Sequence, residues 1–450
     1  MRELVRRSRR AAALATVLVL PWVVATDGAV KPRTVLILPY DASALEPDAR
    51  WWAEGIAELM ELGLAHHPAI AQIDTARIRG QKPEAWTEAA VIQAARATRV
   101  DAAIFGRLTK SGTDLVLEPK LLELKAGAGD VTALEPITAG PADVLGRLAA
   151  LPVIYIRTLK ITLTDAEVRR IERAAAPTKS LRAFEYFARG QAAADRGTQE
   201  GNEQAVDLLS RAIEVDANFA VAQYALGTVH QALGNRWKAQ AQFRVATQLD
   251  VGYPEPFKAL GDLYLANPRS NDRYNQAIEH YGKAIELRPY YADAHIGLGD
   301  AKAAKGDVDG AIAAYQKALA FNTLSPRVHM SLGKIYYGEK GLYYEAVTAY
   351  QKALELDPGS IDARMGLGEV YEDKGLYKEA AEEYKKVVEQ DPKNTGAMYN
   401  LAVVFEKLDP REAIARWERY IAVAGPLPSE KDWVDVARQH LRKLKSQVKD

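Results

Sequence analysis

The chain has 450 residues, 48% hydrophobic and 26% charged, which is more than one globular domain usually holds and too apolar for a disordered chain. Lys plus Arg and Asp plus Glu both number 59, so no net field favours nucleic acid. Cysteine is absent, which excludes a disulfide framework and an acylated cysteine at the amino end.

Arg2, Arg6, Arg7, Arg9 and Arg10 precede an apolar run from Ala11 to Val19 that continues to Ala25. Basic residues followed by a short apolar run predict a secretory signal over residues 1–25, cleaved after Ala25 with Val23 and Ala25 as the small pair. The run falls below the roughly 20 residues of a comfortable membrane helix. An uncleaved membrane anchor is the alternative.

Arg33 to Tyr40 (RTVLILPY) reads as a strand stopped by Pro39. Asp48 to His66 predicts a helix with Trp52, Ile56, Leu59 and Met60 as its apolar stripe, and Ile70 to Ile73 a second strand. A second helix is expected after Pro83, with Trp86, Ala89, Ile92 and Ala95. Asp101 to Leu108 and Leu115 to Leu122 follow as strands divided by the Ser111-Gly112 turn. In the second of these, Leu115, Leu117, Pro119 and Leu121 alternate with Val116, Glu118 and Lys120, so one face is expected to be wetter. Val131 to Ile137 suggests one more strand, and Ala142 to Leu159 a helix kinked at Pro152. This order predicts a small α/β domain over residues 31–160.

That domain resembles the amino-terminal α/β domain of the TolB-like and FlgO-like bacterial envelope proteins, in the form placed before tetratricopeptide arrays. The residues that carry the likeness are VLILPYD at Val35 to Asp41, WWAEGIAELM at Trp51 to Met60, VDAAIFGRL at Val100 to Leu108 and the stretch Ile161 to Gly190. The resemblance implies a helical junction over 161–182 that leads straight into the next domain. Within it, Thr164 and Glu167 have capping-box spacing.

From Ala183 to Ala424 the chain repeats with a period near 34. Gly227 is followed by Ala239, Phe243 and Ala246; Gly299 by Ala311, Tyr315 and Ala318; Gly368 by Ala380 and Tyr384. Three units carry insertions, expected between their two helices: Gly190 with Ala205, Gly261 with Ala277, and Gly333 with Ala346. The seventh, Ala402 with Ala413, is one residue short. A small residue lets two helices approach, and the aromatic lies on the same face as the Ala four residues earlier. Tyr281, Tyr315, Tyr350 and Tyr384 are therefore expected in the core. The pattern resembles the tetratricopeptide repeat (TPR) family, with unit first positions at Ala183, Ala220, Pro254, Ala292, Pro326, Ile361 and Thr395. The fold class expected is a small α/β domain followed by an all-α solenoid of seven hairpins over 183–424. A capping helix and tail over 425–450 then cover its last apolar edge with Val434, Ala437, Leu441 and Leu444.

By that resemblance, unit positions 2, 5, 9, 12 and 13 face an inner groove. Here they include Tyr224, Lys258, Asp262, Ile296, Asp300, Met330, Lys334, Tyr337, Met365, Glu369, Glu372, Tyr399 and Glu406. This acidic, aromatic and apolar mixture suits an extended peptide or helix with basic and hydrophobic residues. The same acids also suit a merely solvated surface. The Lys and Asn clamp with which some family members hold a terminal carboxylate is not present: Tyr224 and Ala225, or Ile296, Gly297 and Asp300, stand in its places.

No catalytic constellation emerges. His66 and His67 are adjacent at a helix end, where solvent contact is the simpler expectation than a metal. His295 and His329 share a unit position without an acid or nucleophile in register. No phosphate-cradling loop is evident, and no cofactor or metal is expected. The function read from the sequence is a non-catalytic periplasmic or envelope scaffold that binds a protein or extended peptide through the inner groove, with a membrane complex as one candidate partner and membrane contact only through residues 1–25 if they are retained. The alternative is a ligand-sensing module in which the α/β domain binds a small molecule and the array transmits to partners.

Overall fold

The structure is a computed structural model that describes residues 32–73, 86–125, 128–268, 270, 272–322 and 324–448. The expected leader, residues 1–25, lies outside them. Among the described residues no helix is long and apolar enough to cross a membrane.

The amino-terminal part runs β1 (Arg33–Ile37), α1 (Trp52–Leu64), β2 (Ile70–Ile73), α2 (Glu88–Thr98), β3 (Ala102–Ser111), β4 (Asp114–Lys125), β5 (Ala128–Ala133), β6 (Ile137–Ala139), α3 (Val144–Leu148), α4 (Leu151–Thr158) and α5 (Asp165–Ala174). These strands form one mixed sheet in the order β2-β1-β3-β4-β5, with β6 also on β4. β1 is parallel to β2 and β3, and β3, β4 and β5 are antiparallel in turn. Gly112, at φ +64°, makes the tight turn that leaves Ser111 opposite Asp114.

Side chains alternate across a strand, so the sheet has two covered faces. Val35, Ile37, Ile104 and Leu121 point to one face, where Ile56 and Met60 of α1 and Tyr155 of α4 meet them. Leu36, Leu38, Phe105 and Leu122 point to the other, beneath Val91 and Ala95 of α2. On β4 the expected wetter set is seen: Leu115, Leu117 and Leu121 are buried while Glu118 is exposed.

Several local expectations change. Asp48 falls in a separate one-turn 3-10 helix, Pro47–Ala49, and α1 starts only at Trp52. The single strand expected from Val131 to Ile137 is two, because Pro136 has no amide to donate; Ala133 pairs with Lys120 and Ile137 with Leu117. Pro152 does not kink a helix but opens α4 in its first turn, where its missing donor costs little. The start of the second helix lies partly outside the described residues; α2 itself is capped by Thr87, which accepts from Ala90 N at 3.3 Å. His67 is buried, not solvated, and its Nδ1 accepts from Ala69 N at 3.2 Å.

The rest is helical. Hairpins pair α6 (Leu181–Ala194) with α7 (Gln199–Val215), α8 (Ala220–Ala232) with α9 (Arg236–Leu249), and α10 (Pro254–Leu265) with α11 (Arg273–Leu287). They continue with α12 (Ala292–Lys305) and α13 (Val308–Phe321), then α14 (Pro326–Ile335) and α15 (Tyr343–Leu356). Last come α16 (Ile361–Asp373) with α17 (Tyr377–Gln390), α18 (Thr395–Leu408) with α19 (Pro410–Ala424), and the closing α20 (Lys431–Gln447).

The marker glycines share one setting. A Cβ at Gly227 would lie 2.5 Å from the Phe243 ring, at Gly299 2.6 Å from Tyr315, and at Gly368 2.6 Å from Tyr384. The small residue exists because the hairpin's own aromatic occupies that space. Tyr281, Tyr315, Tyr350 and Tyr384 are all buried, as expected.

The irregular units are instructive. The extra residue of unit 5 is not between helices: α14 runs into a π turn, Tyr336–Lys340, which absorbs it before Gly341 turns the chain at φ +65°. In unit 1 the extension lengthens α7, whose start Thr198 caps by accepting from Gly201 N at 3.0 Å. In unit 7 Asp409 alone separates α18 from α19, and its carboxylate accepts from Arg411 N and Glu412 N at 2.9 and 3.3 Å. The inserted loop of unit 3 lies partly outside the described residues.

The sheet domain and the array share a core. The first-face cluster runs without a break from Val35 through Phe184 of α6 to Val229 of α8. Trp51 and Trp52 sit 6.0 and 6.2 Å from Phe184, and Arg189 donates to Asp48 O at 2.6 Å. The expected capping box is present: Thr164 and Glu167 bond reciprocally. Leu324, in the turn between α13 and α14, packs onto the second-face cluster. At the far end Val434, Ala437 and Leu444 of α20 are buried with Trp417 and Tyr420, and Leu441 is partly so.

Candidate partner-binding surface

The residues expected to face the groove lie on the first helices of the units, Tyr337 on the π turn that continues α14. Between α10, α12 and α14 lies a cleft of about 320 Å³ lined by Lys258, Asp262, Tyr281, Ile296, Asp300 and Arg327, with Asp293 at its side. Four of the expected groove residues, Lys258, Asp262, Asp300 and the buried Ile296, meet here.

Their charges are largely matched within the wall. Lys258 pairs with Asp262 at 2.8 Å, one helical turn apart, and Arg327 pairs with Asp300. Both acids also reach outward helices: Asp262 accepts from Tyr281 OH at 2.7 Å and Asp300 from Tyr315 OH at 2.6 Å. Burial and these carboxylates push both phenols well above their ordinary range. Glu372 accepts from Tyr384 OH at 3.1 Å, and Glu406 from the Trp417 indole at 2.7 Å. An acid on the first helix thus recurs as the acceptor that satisfies the second helix's buried aromatic. Among the described residues Asp293 makes no hydrogen bond or ion pair and is exposed.

The remaining expected residues lie outside this cleft. Tyr224 is partly buried, its ring 5.6 Å from Phe243 and 5.5 Å from Tyr253. Met330 and Tyr337 pack on the cluster around Tyr350, and Tyr337 OH donates to Asp373 at 2.7 Å. Met365 packs on the cluster of units 6 and 7, Glu369 is partly buried, and Lys334 is exposed. Tyr399 lies edge-on to Trp417, Tyr420 and Trp433 at 5.0, 5.5 and 5.3 Å, so the closing helix covers it. Asp293 and Arg327, absent from the residues named above, both stand at unit position 2; the repeat ruler already assigns that position to the groove.

The histidines do not form a site. His295 is buried, 2.8 Å from Pro289 O and stacked on Phe321. Among the described residues no group of three or more His, Cys, Asp or Glu is arranged to hold a metal ion.

Two family models, each described as Tetratricopeptide repeat, match residues 269–335 and 335–395. The helical array is built of tetratricopeptide repeats. Proteins with such repeats serve as protein-interaction scaffolds. Solved structures similar to parts of it include MamA, at 30% identity over 37% of this chain and 95% of that one, with a TM-score of 0.34. YrrB, described as a TPR protein with an unusual peptide-binding site, is 25% identical over 45% of this chain and 97% of its own, with a TM-score of 0.38. A thermophilic TPR protein of Thermus thermophilus is 24% identical over 40% and 98%, with a TM-score of 0.34. No curated protein matches the chain.

Proposed function

We propose that the chain is a non-catalytic scaffold of the bacterial envelope that holds an extended segment of a partner protein along the inner wall of its TPR array. The observation that carries this reading is the open cleft at units 3 to 5. Asp262 and Asp300 are matched there by Lys258 and Arg327, and Asp293 is left over beside the apolar Ile296. One unmatched carboxylate beside apolar surface favours a segment that carries Lys or Arg next to hydrophobic residues. Asp262, Asp300, Glu372 and Glu406 are each engaged by a buried aromatic of the second helix, which supports binding over chemistry. Envelope location rests on the basic and apolar start of the sequence, and the kinship of the sheet domain with the TolB-like and FlgO-like group belongs to the same proposal.

The test is fluorescence anisotropy with Lys/Arg-hydrophobic and Glu-hydrophobic peptides of equal length. The basic set binds more tightly, and Asp293→Lys weakens it by about five- to tenfold, roughly 1 kcal/mol for a partly exposed pair. Equal affinity for both sets, or an unmoved Kd in Asp293→Lys, refutes the cleft as the docking point. Cell fractionation with amino-terminal mass measurement tests the compartment: a cytosolic chain that retains Met1 refutes it.

A further inference from the structure

The two faces of the sheet meet different parts of the array. The first face, through α1 and α4, is continuous with units 1 and 2. The second face carries α2, and Leu324, from the turn that joins unit 4 to unit 5, packs onto its apolar cluster. Arg99, which follows α2, stands within electrostatic reach of Glu355 near the end of α15. On the same domain, His66 and Arg170 stand within reach of Arg288 and Tyr290 in the turn that joins unit 3 to unit 4. In that turn Arg288 is buried, pairs with Glu255 at 2.5 Å and lies 4.7 Å over the Tyr291 ring.

These meeting points lie in inter-unit turns or near helix ends, whereas the cleft is lined from α10, α12 and their neighbours. The sheet domain therefore packs on the array at units 1 and 2 and at the turn between units 4 and 5, stands within charge range of the turn between units 3 and 4, and contributes no residue to the lining of the cleft.

We infer that the array clasps the sheet domain, and that this domain acts as a spacer whose two-sided contact sets the curl of units 1 to 5. In an ordinary repeat array each unit touches only its neighbours. Curvature is then the sum of small rotations, and it varies as each one fluctuates. A body held by unit 1 on one side and by the unit 4–5 turn on the other closes that path and fixes the sum. The width of the inner wall at the cleft is fixed with it. This inference concerns the shape of the molecule and holds whether or not the cleft is where a partner docks.

The absence of cysteine makes the test direct. Gln93→Cys on α2 and Thr348→Cys on α15, both exposed, carry spin labels on the two sides of the contact in the full chain. The expected result is one narrow distance distribution. Leu324→Asp lengthens and broadens it while the helical circular dichroism signal is retained. Where Leu324→Asp costs helix, Leu324→Ser removes the contact without adding a charge and gives the same shift. A distribution that is broad before Leu324 is changed overturns the inference. So does a narrow one that a folded Leu324 variant leaves in place.

Discussion

Gly297 and Gly366 each face an aromatic ring of the preceding unit: a Cβ would lie 2.4 Å from the Tyr281 ring and 2.5 Å from Tyr350. Each of these rings thus sits between two glycines, since Gly261 and Gly333 approach it from its own hairpin at 2.7 and 2.8 Å. Gly297→Ala is expected to destabilise the array by about 1–3 kcal/mol through overpacking. Gly282→Ala, in α11 with no neighbour within 4 Å, should be neutral or stabilising by up to about 1 kcal/mol. Urea melts of the two variants check this, and equal shifts would refute the packing account. The hairpin glycines were legible because each faces a ring at a fixed short spacing. The second glycines were not, because their ring lies in another unit and the repeat ruler marks only one small position. His66 shows a different limit of sequence reading. Burial, then the positive Arg288 and Arg170, pushes its imidazole down to about 3. Between about pH 6.5 and that value the unfolded chain binds a proton that the folded one refuses, so stability falls as acid is added. The urea midpoint should drop from pH 7 to pH 5, and His66→Gln should flatten that drop. An identical slope in the variant would refute the assignment. A solvent-facing helix end is what the sequence suggests for His66; its neighbours Arg170 and Arg288 are too distant along the chain to be foreseen.

At the scale of the helix, the array tolerates one residue more and one residue less by different means. The extra residue of unit 5 is taken up as a π turn, which aims Tyr337 at Asp373 and places Lys340 2.5 Å from Asp309. Deleting Gly338, whose Cβ position is open, should convert the turn to ordinary α-helix and restore the spacing of units 2, 4 and 6. The thermal midpoint is expected to stay within a few degrees, while hydrogen exchange over Tyr336 to Leu342 speeds up as the two side-chain bonds are lost. A collapse of the helical signal would show that the π turn is required for folding. Marker spacing reveals that a residue has been added but not where, because the markers straddle both helices and their turn. The missing residue of unit 7 is clearer after the fact: Asp409 replaces the glycine turn and serves α18 and α19 together. In the sheet domain, strand and helix types were readable from periodicity. Proline misled at Pro136 and Pro152, because its effect depends on whether it stands inside an element or at its start.

For the whole molecule, sequence separated a sheet domain from a repeat array but held no hint that they close on one another. Leu324 is a single apolar residue in a polar turn, and no pattern distinguishes it from an ordinary exposed leucine. The cores are unevenly distributed along the chain. The sheet and units 1 and 2 share one large cluster, and units 6 and 7 share another with the closing helix. The clusters around Phe243, Tyr281, Tyr315 and Tyr350 are smaller and separate. Cooperative unfolding follows such divisions. Hauled apart from its two ends, for example in an optical trap, the protein should yield first near its middle, between two sturdier terminal blocks. The cleft lies in that yielding stretch, so whatever settles there would act as a splint and raise the force at which the first rip occurs.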